Sequence, residues 1–145
     1  MTNPIRRFED LEAWQIARDL TNQIYALTKD GAIARDYGFI DQIRRAALSV
    51  MNNTAEGFDR GSNKDFVKFL FIARGLAAEV RSLLYIALDQ GYVMEAEFTE
   101  CRDLCIRCSQ IIWGLIKSLR KKSGWITGMK IYFLGLTMGL GLSKL

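Results

Sequence analysis

The stretch from Gln42 to Gly75, QIRRAALSVMNNTAEGFDRGSNKDFVKFLFIARG, constrains the fold more than any other part of the chain. Apolar residues recur in it at spacings of three and four on both sides of a Gly-Ser break. That is the period of helices, not of strands. The single proline, Pro4, precedes every apolar run, so nothing interrupts long helices further on. A chain of 145 residues is enough for one domain with one core.

Four helical segments follow from the same periodicity. The first spans about 8–29, with the stripe Phe8, Leu11, Trp14, Ala17, Leu20, Ile24 and Leu27; Glu9, Asp10 and Glu12 favour its positive end. The second spans about 39–56, with Ile40, Ile43, Ala47, Val50 and Met51 inward and Gly57 as the expected left-handed residue after its end. The third spans about 63–90. Ser62 suits its N-cap, and its stripe includes Phe66, Phe69, Leu70, Ala73, Ala77, Val80, Leu84 and Ala87. The fourth spans about 95–122. Short connections favour antiparallel neighbours, so the expected fold is all-α, an antiparallel up-down-up-down four-helix bundle over 1–123. Gly75 and Gly114 lie inside helices, each at a cost of about 1 kcal/mol against alanine. Close approach of a neighbouring helix or subunit is the expected compensation.

Residues 124–145 depart from this pattern as an apolar, Gly-rich tail holding five of the twelve glycines and two charges. Its uncharged run, Ile131 to Leu142, falls short of the roughly 20 residues a bilayer span needs. Packing against the bundle or a partner is the first expectation. Membrane contact and a shifted reading frame are the alternatives.

The composition argues against catalysis. There is no histidine, the commonest general base and metal ligand. Phosphate-loop and triad patterns are missing too. Cys101-x-x-x-Cys105-x-x-Cys108 has the spacing of a radical-enzyme iron–sulfur motif. On a helix, however, those positions share one apolar face, where cysteine packs as a small hydrophobe. No metal, cofactor or small-molecule substrate is expected, and the thiols should be reduced in a cytoplasmic setting. Gln42, Ser49, Asn52, Asn53 and Glu56 read as interhelical hydrogen-bonding groups, with Glu56 paired to a nearby arginine.

The net charge of +4 is a mild excess, but its distribution is uneven. Arg60, Lys64 and Lys68 surround the start of the third helix, Arg74 and Arg81 share one of its sides, and Lys117, Arg120, Lys121 and Lys122 crowd the end of the fourth. These nine residues are the candidate nucleic-acid-binding set, reading phosphate charge and not sequence. The plain alternative is that cations suit any helix C-terminus. Phe66, Phe69, Phe71 and Leu76 exceed what one core readily hides, which points to self-association.

Four segments carry a family resemblance: Phe8-Glu9-Asp10-Leu11-x-x-Trp14, Gln42-Ile43-Arg44-Arg45-Ala46-Ala47-x-Ser49, Asn53-x-Ala55-Glu56-Gly57-x-x-Arg60-Gly61-Ser62 and Phe69-Leu70-x-Ile72-Ala73-Arg74-Gly75. Over residues 8–122 the chain resembles the bacterial four helix bundle proteins, also called 23S rRNA intervening-sequence proteins. The resemblance implies a homo-oligomeric ring, a pentamer, with no enzymatic activity. It also implies kinship with accessory proteins of diversity-generating retroelements, which contact a reverse transcriptase and nucleic acid through basic surface. The chain departs from the family pattern S-I-P-x-N-I-A-E-G by lacking the proline after Ser49, so the second helix should run unkinked. Leu76 replaces the serine after A-R-G, and the tail has no counterpart.

Two functions are therefore expected in competition. One is a non-catalytic, oligomeric protein associated with RNA or DNA, serving as accessory subunit to a reverse transcriptase. The other is a protein-interaction or assembly module with no nucleic-acid role.

Overall fold

The computed structural model describes residues 4–122, and the apolar tail lies outside them. Four helices make up almost all of it: α1 Glu12–Leu27, α2 Tyr37–Asp59, α3 Asn63–Asp89 and α4 Glu95–Lys121. Each packs on its neighbours in the cycle α1–α2–α3–α4–α1, which is the arrangement of a four-helix bundle. Side-chain pairings between helices give the directions. Thr21 meets Ala47 while Thr28 meets Arg44, so α1 and α2 run antiparallel. Asn63 meets Lys122, Arg74 meets Ser109 and Tyr85 meets Phe98, so α3 and α4 do too.

The first helix is shorter than its apolar stripe implies. Phe8–Asp10 form a separate 3-10 turn, because the Asp10 carboxylate accepts from the backbone N–H groups of Arg6 and Arg7 at 3.0 and 3.3 Å. Leu11 then takes an extended conformation and is fully buried, plugging the core before α1 begins. α2 starts earlier than its apolar pattern does, because the Asp36 side chain accepts from Phe39 N and caps the helix at Tyr37. It also ends later, and it runs unbroken through the stretch that lacks the family's proline. Ser62 caps α3 as expected, accepting from Asp65 N at 3.2 Å.

Gly57 is not a helix stop. It lies inside α2 and is buried; Gly61, with φ +80°, makes the turn instead. A methyl group at Gly57 would sit 2.6 Å from Phe69 Cβ and 3.2 Å from Phe66 Cδ1, so the glycine lets α2 and α3 approach closely beside their turn. Phe66 is buried there, edge-on to Phe58 at 5.8 Å. At Gly75 and Gly114 the first half of the expectation, a neighbouring helix, does not hold. Among the described residues nothing lies within 4 Å of a Cβ at either, so none of the four helices accounts for them.

The core combines Leu20, Ile24, Ile43, Val50, Leu70, Val80, Leu84, Ile112 and Ile116 with Cys101, Cys105 and Cys108. All three thiols are buried on one face of α4. Buried polar contacts come from threonines, not from the Gln42–Glu56 set. Thr21 Oγ1 donates to Ala17 O at 2.8 Å and lies 3.0 Å from Ala47 O across the α1/α2 seam. Thr28 Oγ1 donates to Ile24 O at 2.7 Å and accepts from Arg44 Nε at 2.8 Å. By contrast Gln42, Asn52 and Glu56 are exposed, and Asn53 bonds back within its own helix to Ser49 O. The sequence pattern misses this because threonine reads as neutral within a stripe, while its hydroxyl reaches the carbonyl four residues back.

Candidate nucleic-acid interface

The antiparallel packing of α3 on α4 places the start of one helix beside the end of the other. Asn63 Nδ2, at the first position of α3, donates to the carbonyl of Lys122 at 3.3 Å. Arg60, Lys64, Lys68, Lys117, Arg120, Lys121 and Lys122 consequently gather at one end of the bundle, with Glu56, Asp59 and Asp65 as the acidic residues around the same turn. Arg60 and Glu56 form an exposed ion pair at 3.0 Å, one helical turn apart. Among the described residues, Lys64, Lys68, Lys117, Arg120, Lys121 and Lys122 enter no ion pair.

The two halves of this cluster have different electrostatics. Lys117, Arg120, Lys121 and Lys122 sit at the negative end of the α4 dipole, which stabilises them. Lys64 sits in the first turn of α3, at the positive end of that dipole, where a cation is disfavoured by about 0.3–1 kcal/mol. A bundle gains nothing from a lysine there. An anion bound at this end would.

Aromatic rings run through the basic surface. Phe71 on α3 and Trp113 on α4 meet edge to face at 6.2 Å. Arg120 lies over the Phe71 ring at 4.8 Å, and Arg74 lies over Trp113 at 4.6 Å, with the Lys117 ammonium 6.0 Å from the same ring. Arg74 also donates from Nε to Ser109 Oγ at 3.3 Å. Phe71 remains 38% exposed, whereas Trp113 is half-buried. Lys64 and Lys68 precede Phe71 by seven and three residues, which puts both on its side of α3. Phe66, Phe69 and Leu76 behave differently from Phe71: the first is buried and the others are half-buried against α2 and the core.

Arg81 stands apart from this group. It is exposed on α3, seven residues past Arg74 and about 10 Å further along the axis. Arg60 is partly occupied, being paired with Glu56 and lying 5.0 Å over the Phe69 ring. The nine sequence candidates thus divide into a continuous end cluster, a stacked Arg74 and a distant Arg81. Phe71 and Trp113 were not among them as binding residues. The missing signal is the register of α3 against α4, which no single-helix pattern contains.

Cys101 and Cys108 are not activated as nucleophiles. Burial pushes Cys108 up to about 12. Cys101 is also raised well above the ordinary thiol range, first by its hydrogen bond with Cys105 and then by burial. Among the described residues no group of His, Cys, Asp or Glu could hold a metal ion, and no helix is long and apolar enough to cross a membrane. A groove of about 430 Å³ lies between α1 and α2, lined by Tyr25, Tyr37, Ile40, Asp41, Arg44, Arg45 and Leu48. Its charges are already engaged, Arg44 with Thr28 and the Tyr25 ring and Arg45 with Asp41.

Comparison with known proteins agrees with this architecture. No curated protein matches the chain. Among solved structures it is similar to a protein of unknown function from the S23 ribosomal protein family of Bacteroides thetaiotaomicron, with a TM-score of 0.62 and 19% identity over 72% of this chain and 98% of that one. At that identity the likeness shows the fold alone. The family model described as 23S rRNA-intervening sequence protein matches residues 9–114, most of the bundle, and the chain belongs to that family.

Proposed function

We propose that this protein is a non-catalytic, oligomeric nucleic-acid-associated protein that holds phosphates at the α3-start/α4-end surface. The observation that carries this reading is Lys64. It stands unpaired beside a helix N-terminus that disfavours it, among cations that the α4 C-terminus alone would explain. A polyanion relieves that conflict. Family membership is in keeping with it, since the family takes its name from an intervening sequence of ribosomal RNA. The finer role of accessory subunit to a reverse transcriptase rests on the family resemblance alone.

The test is fluorescence anisotropy of labelled RNA and DNA across a salt series. Binding should be weakly sequence-selective and fall steeply with salt, because counterion release drives it. The K64Q/K68Q/R120Q/K121Q variant removes four contacts, so the log–log salt slope should fall by about 3. Its circular dichroism and melting should hold, since exposed charges contribute about 0–1 kcal/mol each. Absence of wild-type binding at low salt, or equal binding by the variant, defeats the proposal.

A second reading, self-assembly without nucleic acid, is favoured by another surface. Ile72 and Ile86 on α3 are 44% and 46% exposed, and half-buried Leu76 and Leu83 share their stripe. A ring built through this stripe would repeat the basic end and convert weak sites into avidity. Light scattering decides the point, and a monomer at micromolar concentration rejects both the ring and the avidity argument.

A further inference from the structure

We infer that the Phe71–Trp113 strip is a stacking platform, so that the preferred ligand is single-stranded nucleic acid and not duplex. This rests on the nucleic-acid reading above and specifies its substrate.

Three features support the inference together. First, Phe71 keeps 38% of its surface open beside the half-buried Trp113. Second, the rings carry three cations, Arg120, Arg74 and Lys117, within 6.0 Å of a ring centroid. Third, none of those three cations pairs with a carboxylate among the described residues. Arg74 is instead steadied by a neutral hydroxyl, Ser109. Its guanidinium is therefore held over an aromatic ring with its charge uncompensated.

Guanidinium planes lying over the two rings, beside the exposed part of Phe71 and with no carboxylate partner, offer flat surfaces and positive charge to a strand whose bases are unstacked and whose phosphates run alongside. A duplex has its base faces covered and offers this strip only phosphates. A second copy of the chain fits less well, because it would have to bring a matching acidic surface to unpaired Lys64, Lys68 and Arg120. From Lys64 to Arg74 the strip covers ten residues of α3, about 15 Å, enough for a few nucleotides.

The probe is a labelled unstructured 12-mer RNA, compared with a hairpin duplex of the same composition, using wild-type protein, Phe71→Leu and Phe71→Trp. Leucine keeps the apolar volume and removes the ring; tryptophan restores a ring. Stacking is worth about 1–3 kcal/mol per base, so Phe71→Leu should reduce the preference for single strand over duplex by about 5- to 150-fold. Phe71→Trp should retain it, and circular dichroism should show both variants helical. If wild type binds both probes with equal affinity, or Phe71→Leu keeps the full single-strand preference, the platform is overturned while the phosphate reading stands. If Phe71→Leu instead changes oligomer size and not the preference, the strip is a contact between copies and the inference fails. Loss of all binding in K64Q/K68Q/R120Q/K121Q with normal behaviour of Phe71→Trp supports both levels. Absence of any wild-type binding removes both.

Discussion

Substituting Gly57 by alanine should destabilise this protein, against the usual rule for helices. In a helix interior alanine is favoured over glycine by about 1 kcal/mol. At Gly57 the added methyl would lie 2.6 Å from Phe69 Cβ, 3.2 Å from Phe66 Cδ1 and 3.4 Å from Phe66 O. Carbon atoms pack at about 3.5–4.0 Å, so α2 and α3 must separate locally by about 1 Å. Phe69 cannot rotate away, because its Cβ is fixed to the α3 backbone. Movement also disturbs the Phe58–Phe66 ring pair, worth about 0.5–1.5 kcal/mol. Overpacking of this kind costs about 1–3 kcal/mol, and the backbone-anchored contact places Gly57 at the upper end. Subtracting the helix gain leaves a net loss of about 2 kcal/mol. Gly114→Ala is the matched control: nothing lies within 4 Å of its new methyl, so it should gain about 1 kcal/mol. Urea denaturation of both variants, with unchanged m-values, is the assay. A Gly57→Ala protein as stable as wild type would refute the close-approach reasoning, and so would a destabilised Gly114→Ala.

Thr28→Val removes an acceptor from Arg44 Nε and a bond to Ile24 O, and should cost about 1–2 kcal/mol by the same urea assay, although the shape is conserved. The buried thiols predict alkaline weakening. Cys108 is raised to about 12 by burial, above an unfolded value of about 8.5, so its neutral form stabilises the fold fully below that value. This contribution is lost as pH rises from about 8.5 toward 12. The urea midpoint should fall over that window, and Cys108→Ala should show a shallower decline.

The helices were legible in the sequence because each carries a long stripe at one period, as in the Phe66, Leu70, Ala73, Ala77, Val80 run of α3. Their ends were legible only where a cap was strong. Ser62 was visible, but Asp36 was not, because it directly follows a 3-10 turn of Ala32–Arg35 and ends that turn as well as capping α2. Gly57 was misplaced because glycine carries two meanings, a left-handed stop and a gap for a neighbour, and only the position of Phe69 separates them. The cations of the candidate site were visible as residue types. Their division was not, since Arg60 is paired with Glu56 one turn back, and Arg74 is held over Trp113 of the facing helix with its charge unpaired.

The basic end is a product of how the bundle is closed. Gly57 brings α2 against α3 next to the Gly61 turn, and Asn63 ties that turn to Lys122 at the end of α4. Each contact serves packing or capping by itself, yet together they force the cations of three helix ends onto one surface. Such crowding costs stability: two like charges about 10 Å apart repel by roughly 0.4 kcal/mol even in water. Among the described residues of this cluster, only Arg60 is offset by a local carboxylate. A fold selected for stability alone would place acids in the first turn of α3, and Asp65 shows that the position tolerates one. Lys64 beside it adds positive charge to the positive end of a dipole, and the partly exposed ring of Phe71 follows two turns along the same helix. The combination is unfavourable for an isolated bundle, and the polyanion proposed above would relieve it.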